Sequence, residues 1–177
     1  MAPMTGPPAI DPALVRAAQR GDPIALADLM DILAPYVSRV CGPIALQDGP
    51  DAAQEALITI FKNLGDLREP GAIYGWARAI AVREAVRVAR KAARAVPADL
   101  ADVPAPGDPQ LAADVRDVLA RLTPEHRAVL VLRDLEGLDE QAAGALLAVP
   151  AATVRSRLFR ARRSFRKAWS GRTRTGP

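Results

Sequence analysis

The chain has 177 residues, half of them hydrophobic, with 24 Lys and Arg, 20 Asp and Glu and a formal net charge of +4. That length and apolar content suit one mid-sized or two small packed domains and exclude a chain disordered throughout. Aromatic residues make up only 4%, so strand, which draws on aromatic and β-branched side chains, is disfavoured and the expected fold class is all-α.

The opening MAPMTGPPAIDP lacks a basic segment followed by an apolar one, and no apolar run reaches membrane length, so a cytoplasmic protein with no membrane insertion is expected. Asp11-Pro12 and Asp22-Pro23 each pair an N-cap with a first-turn proline. They predict a short helix ending at Gly21 and a second helix with Ile24, Leu26, Leu29, Met30 and Leu33 on one face, running towards Cys41. Pro35 is expected to kink or break it. Cys41 cannot form an internal disulfide and follows Val37 and Val40, which reads as a buried or half-buried thiol rather than a redox sensor. Gly42, Pro43, Gly49 and Pro50 predict a loop, followed by a third helix striped with Ala53, Leu57, Ile60, Phe61 and Leu64. A fourth, from about Ile73 to Ala93, carries Arg78, Arg83, Arg87, Arg90, Lys91 and Arg94 along a cationic flank.

From Ala95 to Pro109 the composition changes: AVPADLADVPAPGDP has four prolines, three aspartates and no basic residue. Such a stretch cannot continue a helix and reads as a mobile linker. The expected organisation is therefore a first lobe over 10–94, a linker over 95–109 and a second lobe over 110–169. In the second lobe, Leu111, Val115, Val118, Leu119 and Leu122 mark one helix, and Thr123-Pro124 opens the next, closed by Gly137. Asp139 caps a short helix, and Ala148-Val149-Pro150 turns into a long one from Ala151 to about Ala168. A short helix, a brief turn and a longer basic helix form a helix-turn-helix.

On that last helix Val154, Leu158, Ala161 and Phe165 share the expected inward face, while Thr153, Arg155, Ser156, Arg160, Arg162, Arg163 and Arg166 remain outside. From Ala151 to the end there are nine Lys or Arg and no acid. Early residues of such a helix reach base edges in the major groove and later arginines hold phosphates. No Gly-rich phosphate loop or nucleophilic set is visible, and the lone His126 cannot build a Cys/His metal cluster. No catalytic residue, metal or cofactor is expected, and the chain reads as a non-enzyme.

The stretch from Leu122 to Phe165 resembles promoter-binding domain 4 of the extracytoplasmic-function sigma factors. The resemblance rests on Glu136-Gly137-Leu138, Val149-Pro150, Thr153-Val154-Arg155-Ser156-Arg157-Leu158 and Arg160-Ala161-Arg162. One departure is Ala148, where the family usually has Gly; a positive φ there would strain the turn. The first lobe resembles sigma domain 2, through Gln47-Asp48, Asp51 and Gln54-Glu55, through Phe61, and through Ile73-Tyr74-Gly75-Trp76 with Ile80-Ala81. Val82-Arg83 replaces the family's Arg-Asn pair, and Trp76 reads as a core anchor.

The resemblance implies a sigma factor that binds core RNA polymerase, through the largest-subunit coiled coil and the flap, and directs it to promoter DNA. It also implies an anti-sigma factor partner. It assigns minus-35 contacts to Ala151, Ala152, Thr153, Arg155, Ser156, Arg157, Arg160 and Arg163, and minus-10 contacts to Tyr74, Arg78, Arg83, Arg87 and Arg90. Polymerase contacts fall to Asp48, Asp51, Gln54, Glu55 and Thr59, although carboxylates near a helix start can equally be caps. A sigma-like adaptor without promoter binding and a stand-alone helix-turn-helix regulator are the alternative readings.

Overall fold

The computed structural model describes residues 7–94 and 109–172, so the expected linker lies outside the described residues except for Pro109. Among the described residues there are helices and turns but no strand. In the first bundle, α1 (Pro12–Gln19) and α2 (Pro23–Ala45) start as expected. The Asp11 carboxylate accepts from Ala13 N–H at 2.7 Å, and that of Asp22 from Ile24 and Ala25 N–H at 3.0 and 3.1 Å. Then follow α3 (Gly49–Asn63) and α4 (Ile73–Arg94).

The expected break at Pro35 and the expected loop at 42–50 are both absent. Pro35 and Pro43 both sit inside α2, which runs without interruption to Ala45. An internal proline costs about 3 kcal/mol. Around these two, Leu33, Val37, Val40, Cys41 and Ile44 are almost fully buried, and each large apolar side chain contributes roughly 1.5–3 kcal/mol, so burial wins. The expected loop at 42–50 shrinks to a 3-10 turn, Leu46–Asp48, with the reversal at Leu46, φ 57°. Its glycines serve packing instead: a Cβ on Gly49 would stand 3.1 Å from the Gly42 Cα, so α2 and α3 approach closely there.

The second bundle comprises α5 (Pro109–Ala120), α6 (Pro124–Leu130) continued by a π-helical turn (Val131–Leu135), α7 (Glu140–Leu147) and α8 (Ala151–Arg172). Thr123 and Asp139 cap α6 and α7 through His126 and Ala142 N–H. Val118, Leu122, Val129, Leu132, Val154, Leu158 and Ala161 form its core, whereas Leu111, expected inside, is 51% exposed.

The bundles pack against each other and share one apolar core. Arg127, 6% exposed, crosses between them: its Nε donates to Ile44 O at 2.7 Å and its guanidinium also to Leu119 O and Leu122 O. This junction decides where the basic helices point.

Candidate nucleic-acid and polymerase interface

The helix-turn-helix is α7, the turn 148–150 and α8. Ala148 adopts φ 53°, ψ 44°, a left-handed conformation that strains a residue bearing a Cβ. Gly144 makes the turn possible, because a Cβ there would lie 2.7 Å from Val149 O. Val154, Leu158 and Ala161 are buried as expected and hold α8 on its bundle, while Phe165 is half-buried and stacks on Trp169 at 6.1 Å.

The outward face of α8 brings together Ala152, Arg155, Arg160 and Arg163, all exposed, with Ala151, Thr153 and Ser156 half-buried at its start. The Ser156 hydroxyl donates to Thr153 O at 3.0 Å. The Arg155 side chain is 73% exposed and is oriented by Glu140, whose Oε2 accepts from its Nε at 3.0 Å and from a terminal nitrogen at 2.7 Å. That hydrogen bond and the guanidinium charge hold the Glu140 carboxyl below its ordinary range.

Arg157 departs from the expected set: it is half-buried and lines the cleft between the bundles, because two residues along a helix turn it away from Arg155. Sequence reasoning also passed over Phe159, 64% exposed on the face of Arg155 and Ser156. Its position off the Val154, Leu158, Ala161 stripe was the available signal.

The cationic flank of α4 is divided. Arg83 is exposed, whereas Arg87 pairs with Glu84 at 2.7 Å and approaches Glu55 at 3.8 Å. Arg78 and Arg90 are engaged across the bundle junction, Arg78 with Glu136 at 3.3 Å and Arg90 with Glu125 at 2.6 Å. Burial pushes the Glu125 carboxyl up, but its backbone hydrogen bond, Arg90 and Arg157 outweigh that and hold it low. Tyr74 packs edge-on against Tyr36 at 4.9 Å and donates to Pro8 O at 2.7 Å. Trp76 is half-buried against the core, as expected. Between α4 and the α7–α8 turn lies a cleft of about 620 Å³ lined by Arg83, Arg87, Arg90, Lys91, Arg94 and Arg157.

On α3, Asp51, Gln54 and Glu55 are exposed on one face with Ile58; Thr59 is half-buried and donates to Glu55 O at 2.9 Å. Asp48 stands at the N-cap position but makes no side-chain cap. This polar row borders an apolar groove of about 480 Å³ lined by Met30, Leu57, Ile58 and Phe61. A second apolar pocket, of about 380 Å³, lies among Val115, Leu119, Leu130, Leu135 and Phe165 in the second bundle. Cys41 is fully buried, donates to Ala81 O at 3.5 Å, and has its pKa pushed up to about 12 by burial and by Glu84. Among the described residues no helix is long and apolar enough to cross a membrane.

The family described as Sigma-70, region 4 matches residues 112–165, which contain the whole helix-turn-helix start. The ECF RNA polymerase sigma factor SigE of Mycolicibacterium smegmatis is 36% identical over 67% of this chain, which spans about half (51%) of that protein. The RNA polymerase sigma-H factor of Pseudomonas aeruginosa is 32% identical over 89% of this chain and 93% of its own length. The ECF RNA polymerase sigma-E factor of Escherichia coli K12 is 30% identical over 86% and 90%. In fold, the chain is similar to CnrH in complex with the cytosolic domain of CnrY, with a TM-score of 0.64, 21% identity and coverage of 91% of this chain and 97% of that one. It is also similar to RpoE in complex with the anti-sigma factor NepR from Bartonella quintana, at 0.63, 16%, 82% and 96%. With identity of 30% or more running through nearly the full length of sigma-H and sigma-E, and with a region 4 helix-turn-helix in place, the chain belongs to the extracytoplasmic-function RNA polymerase sigma factors.

Proposed function

We propose that this sigma factor reads the minus-35 element with the outward face of α8 and works as a polymerase subunit, without chemistry of its own, in the cytoplasm. The observation that carries the reading is the exposed Arg155, held by Glu140 at the start of a basic helix anchored by Val154 and Leu158. Arg155 and Ser156 address base edges, Phe159 offers an apolar surface to a thymine methyl, and Arg160 and Arg163 hold phosphates. Arg157 contributes through the cleft wall.

Residues 10–94 supply minus-10 recognition and polymerase docking. Arg83, Arg87 and, once released from their acidic partners, Arg78 and Arg90 form the phosphate track, with Tyr74 beside it. Asp51, Gln54, Glu55, Thr59 and Asp48, next to the apolar groove, dock the largest-subunit coiled coil. The pocket at Leu130, Leu135 and Phe165 receives the flap. The fold shared with the sigma factor RpoE in its complex with the anti-sigma factor NepR supports an anti-sigma factor as a further partner.

Run-off transcription with core polymerase tests the reading. Arg155→Ala is expected to cost about 1–3 kcal/mol at the preferred minus-35 sequence and less at variants of the contacted base pair. Equal activity of both proteins on every variant would remove Arg155 from the recognition surface.

A further inference from the structure

Two acids stand at the start of α7, and they do different things. Asp139 caps the helix, its carboxylate accepting from Ala142 N–H at 2.7 Å. With that cap filled, a further acid in the first turn adds only a weak attraction for the helix dipole. The Glu140 side chain reaches across to α8, 15 residues on, where its Oε2 accepts from Arg155 Nε at 3.0 Å and from a terminal nitrogen at 2.7 Å. Among the described residues, Arg160 and Arg163 on the same outward face have no such acidic partner.

The edge that Glu140 occupies decides what Arg155 has left to offer. A guanidinium is a planar fork with five N–H groups. Glu140 takes the edge made by Nε and one terminal nitrogen, so the two parallel N–H groups at the tip stay uncommitted. A pair of parallel donors fits the O6 and N7 acceptors of guanine, and no other base presents two acceptors on its major-groove edge.

Phosphates compete for the same side chain. Arg155 is 73% exposed, so little besides Glu140 restrains it. The backbone is the densest negative charge on a duplex; contact with it adds affinity but carries no sequence information. A carboxylate beside the groove acts the other way, repelling phosphates while it fixes the arginine.

We propose that Glu140 is a specificity-determining positioning residue: it keeps Arg155 off the phosphates and directs its tip to a guanine of the minus-35 element, lowering general affinity for duplex DNA and raising selectivity. This role rests on α8 reading the minus-35 element, as proposed above; the Glu140–Arg155 pairing does not.

The test is competition binding of holoenzyme to duplex promoter fragments in which each minus-35 base pair is replaced in turn, measured over a range of salt. Glu140→Gln keeps the size of the side chain and an acceptor oxygen but removes the charge; circular dichroism is the folding control. A bidentate arginine–guanine contact supplies roughly 5- to 150-fold discrimination. Glu140→Gln is expected to lose most of it at one guanine, to bind the fragments lacking that guanine more tightly, and to steepen the slope of log affinity against log salt by about 1. A merely structural glutamate would weaken binding to all fragments alike and leave the slope unsteepened. In an Arg155→Ala background, Glu140→Gln should leave the remaining base preference unchanged, because the acid acts through the arginine. Arg155→Lys, at an exposed position, keeps the charge without the fork and is expected to lose the guanine preference, which keeps the test decisive if Glu140→Gln misfolds.

Wild-type preference and slope in folded Glu140→Gln, a shift in preference that persists without Arg155, or an intact guanine preference in Arg155→Lys would each overturn the inference. A wild type that does not discriminate among the minus-35 fragments would instead count against the proposed function.

Discussion

Helices α4 and α8 each have 22 residues and a row of arginines, yet the fold uses them differently. Helix α4 is wedged: Ile73, Ala77, Ile80, Ala81, Val82, Ala85 and Ala89 are buried, and two of its arginines are tied to acids of the other bundle. Helix α8 is displayed: Val154, Leu158 and Ala161 are its buried residues, and the acids that hold Arg155 and Arg162, Glu140 and Asp134, belong to its own bundle. An arginine is available to DNA according to where its counter-ion sits. A partner on the same bundle orients the side chain and leaves it outside, while a partner across a junction makes availability depend on bundle separation.

The largest effect tests the junction on which this contrast rests. Arg127→Ala removes donors from Ile44 O, Leu119 O and Leu122 O and is expected to destabilise the chain by about 3–5 kcal/mol, since each orphaned buried acceptor costs about 1–3 kcal/mol. Urea denaturation measures it, and a loss under 1 kcal/mol would mean that the bundles do not depend on this bridge. Next, Ile80→Ala on the wedged helix should cost about 2–4 kcal/mol, whereas Phe159→Ala on the displayed one should stay within about 0.5 kcal/mol while weakening minus-35 binding. Equal thermal shifts for the two would erase the distinction.

Within α8, Arg163→Ala should weaken promoter binding alike on all minus-35 variants and reduce the slope of log affinity against log salt by about 1. Sequence-selective loss would move Arg163 from phosphate to base contact. The smallest effect concerns the turn that sets the angle of α8: Ala148→Gly relieves a left-handed alanine and should stabilise by about 0.5 kcal/mol, read from the urea midpoint. A destabilised variant would show that the turn gains more from a restricted backbone than it loses to strain.

The helix starts were legible because capping is local: Asp11, Asp22, Thr123 and Asp139 each bond an N–H two or three residues on. The inward stripe of α8 was legible for the same reason, three to four residues being one helical turn. Where local rules failed, burial overrode them. Pro35 and Pro43 lie within α2 because the apolar residues around them gain more from the core than the missing N–H groups cost, and Gly42 and Gly49 permit a helix crossing rather than a loop.

The amino-acid sequence by itself determined the all-helical class, the helix-turn-helix and the basic outward face of α8, all set by contacts within a few residues. Only the tertiary structure decided that Arg157 faces a cleft, that Phe159 stands exposed beside Arg155, and that Glu136 gathers Tyr36, Arg39 and Arg78 from 58 to 100 residues away. Periodicity places a side chain on one face of its own helix. What that face meets is settled by how the two bundles pack, through buried pairings between residues that no local pattern connects.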